Sequence, residues 1–315
     1  MRTKVSLLLI AVIIGLALGV WTLLPALSTP ATSGPVASGS DPTPSPAILV
    51  GAGDVAECPT DGDEATADVL DQVVEEHPDA VVFTTGDNVY PDGAYDEFIE
   101  CFEPSWGRHK ERTRPAVGNH DFMQTKAGGY HRYWGARGGP FDEYFYSYDV
   151  GGWHVVVLNS ECHRVGCEFD SDDGTQVEWL AADLEASAAE CTIAIWHHPR
   201  WSSGRYGSTA EYQTFWEVLY QAGAEIVLNG HEHLYERFAP LRPDGTIDRE
   251  RGIRQFTVGT GGANLRGFEE IESTSRVRGS EHGVLKLTLY ADEYEWEFLA
   301  VDGATFADAG TGSCH

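Results

Sequence analysis

The sequence predicts an α/β protein arranged as a four-layer α/β/β/α sandwich, two mixed β-sheets packed together with helices outside. Three observations predict it. Uninterrupted apolar, β-branched runs at 47–50, 81–83 and 226–228 have the pattern of strands buried on both faces. Segments of helical period lie between several of the runs. Late runs near 255–258, 284–290 and 293–300 imply a second, partly antiparallel sheet.

Along the chain, residues 63–76 form the first helix, with apolar side chains at 65, 69, 70, 73 and 74. Residues 95–102 read as helix and 114–117 as a short strand. Strands at 144–149 and 153–158 flank Gly151-Gly152, a hairpin signal. Helices follow at 176–186 and 211–220, with a strand at 192–196 between them. No internal repeat divides the 315 residues, and 42% hydrophobic content is enough to bury a large core. A single catalytic domain over 47–315 is expected.

The amino terminus stands apart. Arg2 and Lys4 precede an apolar run from Val5 to Leu24, about the 20 residues that span a bilayer. After Lys4 no Lys or Arg occurs until Arg108, so the positive-inside bias leaves the terminus in the cytoplasm and sends the rest across. Residues 1–27 are therefore expected to act as a signal peptide, cleaved near Ala26 or Ala31, or as a retained signal anchor. Residues 28–46, rich in Pro, Ser, Thr and Gly, form a flexible tether. The protein is expected to be secreted or extracytoplasmic, touching membrane only through this segment.

Six cysteines, at 58, 101, 162, 167, 191 and 314, agree with export, since none has the spacing of a zinc site. Fifteen pairings are possible for six cysteines; Cys162 with Cys167 and Cys191 with Cys314 are the pairs proposed. A net charge of −28 argues against nucleic acid and anionic lipid as partners. Between Asp54 and Glu103 lie sixteen acidic residues and no Lys or Arg. Attraction of an anionic substrate would have to come from metal ions and local basic groups.

Five segments carry the chemistry: Gly53-Asp54, Gly86-Asp87-Asn88-Val89-Tyr90, Gly118-Asn119-His120-Asp121, Trp196-His197-His198-Pro199 and Gly230-His231-Glu232-His233. Each lies just past a predicted strand, where loops converge on a crevice. Together they supply carboxylate, phenolate, amide and imidazole donors for two hard or borderline metal ions, the equipment of a binuclear metallohydrolase. Asp87, with two oxygens and a central place in the series, is the candidate bridge; Asp54 binds one ion. Tyr90, three residues on, reaches the same ion as Asp87, and its phenolate suits iron(III). An extended backbone through His231-Glu232-His233 would point both imidazoles to one side. His197 and His198 are neighbours on a strand end, so one is a ligand and the other lies outside. Asn119 offers an amide oxygen, and His120 a proton donor.

This ordered series resembles the calcineurin-like metallophosphatase superfamily. Tyr90 in its segment, with His231-Glu232-His233-Leu234-Tyr235-Glu236-Arg237, makes the chain most similar to the purple acid phosphatases, of the small, single-domain form. The resemblance covers roughly residues 47–300 and implies the metallophosphatase sandwich. It implies that Asp54, Asp87, Tyr90 and His233 bind Fe3+, and that Asp87, Asn119, His197 and His231 bind a divalent ion: Fe2+, Zn2+ or Mn2+. It further implies hydrolysis of small phosphate monoesters by a hydroxide attacking phosphorus in line, with His120 stabilising charge or protonating the leaving group. One departure stands out: a substrate-facing histidine of the small enzymes is replaced by Tyr206, in Gly204-Arg205-Tyr206-Gly207. Arg205 or Arg200 would then hold phosphate oxygens.

Rival readings have specific weaknesses. Gly51-Ala52-Gly53-Asp54-Val55-Ala56 fits a dinucleotide fingerprint, but residues 58–62 intervene before any helix that could receive a pyrophosphate. A phosphodiesterase or nucleotidase of the same fold differs only in its loops. A non-catalytic metal-binding surface protein would lack ligands or His120, and none is missing.

Overall fold

The computed structural model describes residues 45–166 and 175–315. The segment predicted as signal peptide or anchor, the tether up to residue 44 and Cys167 lie outside the described residues. Among the described residues, no helix is long and apolar enough to cross a membrane.

The first strand, Ala47–Ala52, is central in its sheet. It pairs in parallel with Val81–Thr84, which pairs in parallel with Thr113–Pro115. On its other side lies Gly283–Leu289, antiparallel, followed by Glu293–Ala300 and Ala309–Ser313, which complete six strands. The second sheet has seven strands. Trp153–Val157, Cys191–Ile195, Ile226–Asn229 and Arg254–Val258 run parallel, Tyr146–Val150 pairs antiparallel at one edge, and Tyr235–Phe238 and Ser275–Gly279 add antiparallel pairs at the other.

The expectation that the late strands build a separate second sheet is thus corrected. Arg254–Val258 joins the middle strands, whereas the last three strands fill the free edge of Ala47–Ala52. Period-two patterning marks a strand but carries no label for the edge it will occupy. The sandwich itself, with two mixed sheets flanked by helices, is as predicted.

Side-chain alternation explains why the middle strands lack a polar face. Val155, Val157, Ile193, Ile195 and Leu228 pack in the same core as Leu49, Val82, Leu285 and Leu287 of the first sheet. Their neighbours Val156, Leu158, Ala194 and Val227 pack instead with Val177 and Leu180 of helix Thr175–Ala186 and with Phe215, Trp216 and Leu219 of helix Gln213–Ala222. Each large apolar side chain so buried contributes about 2 kcal/mol. Strands packed on both faces give the loops beyond them fixed points of departure.

Helix Gly62–Glu76 lies against Gly283–Leu289 and Glu293–Ala300, burying Asp63, Thr66, Ala67, Leu70 and Val73 at helical spacing. The helix predicted at 95–102 is a single α-turn, Tyr95–Glu97, continued by a π-helical turn at Phe98–Phe102. Cys58 is bridged to Cys101, tying that turn to the loop after the first strand. Cys191 is bridged to Cys314, as expected, and anchors the carboxyl tail.

Candidate metal centre

All five segments leave the carboxyl ends of parallel strands on adjoining sheets. Asp54 follows Ala47–Ala52, Asp87 follows Val81–Thr84, Asn119 follows Thr113–Pro115, His197 follows Cys191–Ile195 and His231 follows Ile226–Asn229. Asp54, Asp87 and His231 adopt left-handed backbone conformations, with φ of 56°, 50° and 68°. Such conformations are uncommon outside glycine and persist where the surroundings enforce them. His231-Glu232-His233 is accordingly not extended, which corrects the strand geometry expected there: the turn at His231 brings both rings to the site. The glycines preceding two ligands give the carboxylates room. A Cβ on Gly118 would fall 2.3 Å from Asp87 Oδ1, and one on Gly230 would fall 2.6 Å from Asp54 Oδ2.

Two donor sets meet at one oxygen. In the first, Tyr90 Oη lies 2.8 Å from Asp54 Oδ1, 3.1 Å from Asp87 Oδ2 and 3.2 Å from His233 Nε2, and His233 Nε2 lies 3.3 Å from Asp54 Oδ1. In the second, His197 Nε2 is 3.2 Å from the same Asp87 Oδ2 and 3.1 Å from Asn119 Oδ1, which is 3.0 Å from His231 Nδ1. Ligand atoms on one octahedral ion, with bonds of about 2.1 Å, stand about 3 Å apart. Asp87 Oδ2 faces both sets. Its partner Oδ1 accepts the His120 backbone N–H at 2.7 Å, which leaves Oδ2 as the oxygen facing the donors.

The donor set suits cations. Backbone carbonyls can only accept, so His197 Nδ1–H donates to Thr85 O at 2.9 Å and His233 Nδ1–H to Asn264 O at 2.8 Å. In the neutral imidazole, each would therefore turn an Nε2 lone pair toward the cluster. Tyr90 has one hydroxyl proton for three acceptors. Asp54 and Asp87 are buried, and among the described residues no Lys or Arg pairs with either. Buried carboxylates need a compensating charge, which a bound metal would supply.

Among the protein groups alone, His197 is the charge that answers Asp87. Burial opposes ionisation of Asp87, but the charge and hydrogen bond of His197 hold it well below the usual carboxylate range. Burial likewise depresses His197, yet Asp87 outweighs it and lifts the imidazole to about 9. Burial and then the charges of Asp54 and Asp87 push the Tyr90 phenol far up. His231, buried and beside His197, falls to about 3 and stays a neutral donor.

A ring of partners orients these ligands. Asp121 accepts from Gly118 N at 2.9 Å and from Asn88 Nδ2 at 2.9 Å, and Asn88 Nδ2 also donates to Ala116 O at 3.0 Å. The second and third segments are thereby joined behind Asp87. Glu232 accepts the backbone N–H groups of Arg205 and Tyr206, at 3.0 and 2.7 Å, and the Ser202 hydroxyl at 3.2 Å. It draws the 202–206 loop over the centre.

His120 Nδ1–H donates to Pro91 O at 2.6 Å, leaving Nε2 open. Its ring lies 4.4 Å from that of Tyr90, and both line a cavity of about 380 Å³ with His233 and Arg266. Tyr206 stacks on His231 with ring centroids 4.5 Å apart, so the residue standing at the histidine position does reach the centre. Arg205 is exposed beside it, its guanidinium 5.9 Å from the Tyr206 ring. Arg200 is placed differently from the expectation: it is buried, donating to Thr209 O and, at 2.8 Å, to Gln213 Oε1. Those bonds occupy the donors that phosphate oxygens would need. His198 Nδ1 lies 2.8 Å from Ser160 Oγ and its ring 4.2 Å from that of His231, and with His197 and His231 it forms a second group that could hold a metal ion. Four residues were not singled out from sequence: Asn88, Asp121, Glu232 and Arg266. The first three sit inside the five segments; Arg266, in a loop after Arg254–Val258, has no motif to mark it.

Residues 49–235 match the family model for calcineurin-like phosphoesterases, and the chain belongs to that family. Within it the chain is similar to purple acid phosphatases. Purple acid phosphatase 15 of Arabidopsis thaliana is 29% identical over 213 residues, which cover 55% of this chain and 38% of that protein. The chain thus spans well under half the length of that curated relative. A purple acid phosphatase from seeds of yellow lupin, Lupinus luteus, superposes with a TM-score of 0.68 at 18% identity, covering 85% of this chain and 54% of that one. A dimetal phosphatase from Danio rerio superposes at 0.60 and 15% identity, covering 87% and 100%. At such identities the superpositions speak for the fold.

Proposed function

We propose that the chain is an exported phosphatase that holds two metal ions and hydrolyses phosphate monoesters as purple acid phosphatases do. The observation that carries this reading is the position of Asp87 Oδ2, shared by a phenol-containing donor set and an imidazole-rich one. Asp54, Asp87, Tyr90 and His233 fit Fe3+; Asp87, Asn119, His197 and His231 fit Fe2+, Zn2+ or Mn2+. When bound, the two ions supply the Lewis acidity that clamps a phosphoryl group and brings the pKa of water toward neutrality.

The chain's own residues do the rest. His120, fixed through Nδ1–H on Pro91 O, presents Nε2 to the cavity as the atom that delivers a proton to the departing alkoxide oxygen. Asp121 and Asn88 keep the bridging carboxylate's loop in place. Residues 1–27 direct the protein across the membrane, 28–46 tether it, and 47–315 form the catalytic domain. The Cys58–Cys101 and Cys191–Cys314 bridges support an oxidising destination.

The test is turnover of chromogenic mono- and diesters by metal-loaded protein. Monoester hydrolysis is expected, with kcat reduced about 10²–10⁴-fold in His120→Ala. Metal-loaded wild-type protein inert toward every phosphate ester would end this reading.

A further inference from the structure

Arg266 forms no salt bridge among the described residues, although its charge is felt at Glu232. Arg108, Arg137, Arg237 and Arg242 each pair with Asp or Glu in this chain of net charge −28. Arg266 donates from its side chain to no residue among the described ones, yet it is half-buried and lines the cavity that also holds Tyr90, His120 and His233. Glu57 lines the same cavity, but its Oε2 is occupied by the N–H groups of Asn264, at 3.0 and 2.7 Å.

The backbone of Arg266 is fixed to the metal centre. Its N–H donates to His233 O at 2.8 Å, its carbonyl accepts the Ser280 hydroxyl at 2.8 Å, and two residues earlier Asn264 O accepts His233 Nδ1–H. Its guanidinium sits 5.5 Å from the ring centroid of Tyr206, the ring that stacks on His231. A cation held at the rim of a phosphate site, with its donors uncommitted, awaits an anion.

We infer that Arg266 is a substrate-binding residue that grips a terminal phosphoryl oxygen and tilts the enzyme toward monoesters over diesters. The inference rests on the phosphatase reading above. A monoester carries three unesterified phosphoryl oxygens and a diester two. With two oxygens held by the cations that the two donor sets would bind, only the monoester would retain a third, charged oxygen for the guanidinium. Neither Arg200, with its donors engaged, nor the exposed Arg205 offers this position.

Arg266→Ala and Arg266→Lys, in the full metal-loaded chain, test it. Loss of a charge-assisted hydrogen bond should raise the KM for a chromogenic monoester about 10- to 100-fold in Arg266→Ala, with kcat less affected. The dissociation constant of inorganic phosphate, measured by calorimetry, should rise in step, and the monoester-to-diester ratio of kcat/KM should fall by about tenfold. Arg266→Lys should recover part of each. Wild-type values of phosphate affinity and ester ratio in Arg266→Ala would overturn the assignment, as would an equal loss on both ester classes. Wild-type protein that binds metal but cleaves no ester would sink the phosphatase reading; the phosphate dissociation constants would still decide the role of Arg266.

Discussion

Tyr90 Oη lies 3.1 Å from Asp87 Oδ2, although the two residues are only three apart in a segment that is not helical. The left-handed turn at Asp87 reverses the chain, and the short pairing of Val89–Tyr90 with Ala56–Glu57 holds the phenol where the carboxylate points. With Fe3+ at this set, the protein is expected to be purple or pink through phenolate-to-iron charge transfer. Tyr90→Phe should abolish the visible band while iron, measured by elemental analysis, remains bound. A band unchanged in Tyr90→Phe would remove the phenolate from the centre.

Asp121 has no direct place among the ligands but joins Gly118 and Asn88 behind Asp87. Burial and then the Asp87 charge lift it to about 7, while the hydrogen bonds from Gly118 and Asn88 oppose that rise. Outer partners of this kind commonly account for about 10- to 100-fold in metal affinity. Asp121→Ala is expected to lower metal affinity in that range, read by competition with a chelator.

Glu232 lies between two candidate ligands in sequence, yet its carboxylate turns toward the 202–206 loop. Glu232→Gln keeps the shape and weakens the charge-assisted bonds to Arg205 N and Tyr206 N. Limited proteolysis after Arg205 should accelerate, and KM should rise on the order of threefold to tenfold, the scale of one weakened hydrogen bond.

Much of this arrangement is legible in the sequence because chemistry and strand ends coincide. The segments ending the runs at 47–50, 81–83 and 226–228 each bring a candidate ligand to the cluster, since a strand buried on both faces starts its loop from a fixed point. The sheet assignment of 284–300 was not legible, because apolar alternation is the same at either edge. Nor was the orientation of the Asp87 carboxylate, which depends on the His120 backbone N–H binding Oδ1. Arg200 and Arg266 look alike as arginines after a strand; burial against Gln213 separates the first from the cavity that receives the second.

Stability should respond to pH through Glu225, which is buried away from the metal centre. Burial raises its pKa from 4.5 to about 7, against the opposing hydrogen bond from Thr192 N. Because the folded form holds the proton more tightly, the stabilisation is complete below about pH 4.5 and is lost as pH rises through about 7. The change amounts to at most about 3 kcal/mol. Denaturant unfolding between pH 4 and 8 should show this fall, and Glu225→Gln should flatten it.

The account as a whole stands on two ions sharing the Asp87 carboxylate. Elemental analysis of the purified, active full-length protein measures this directly, alongside Asp87→Ala. The account predicts two metal ions per chain in the wild type, with metal content and monoester turnover lost together in the variant. Full activity with a single ion, or an Asp87→Ala protein that keeps both ions and turns over normally, would contradict it.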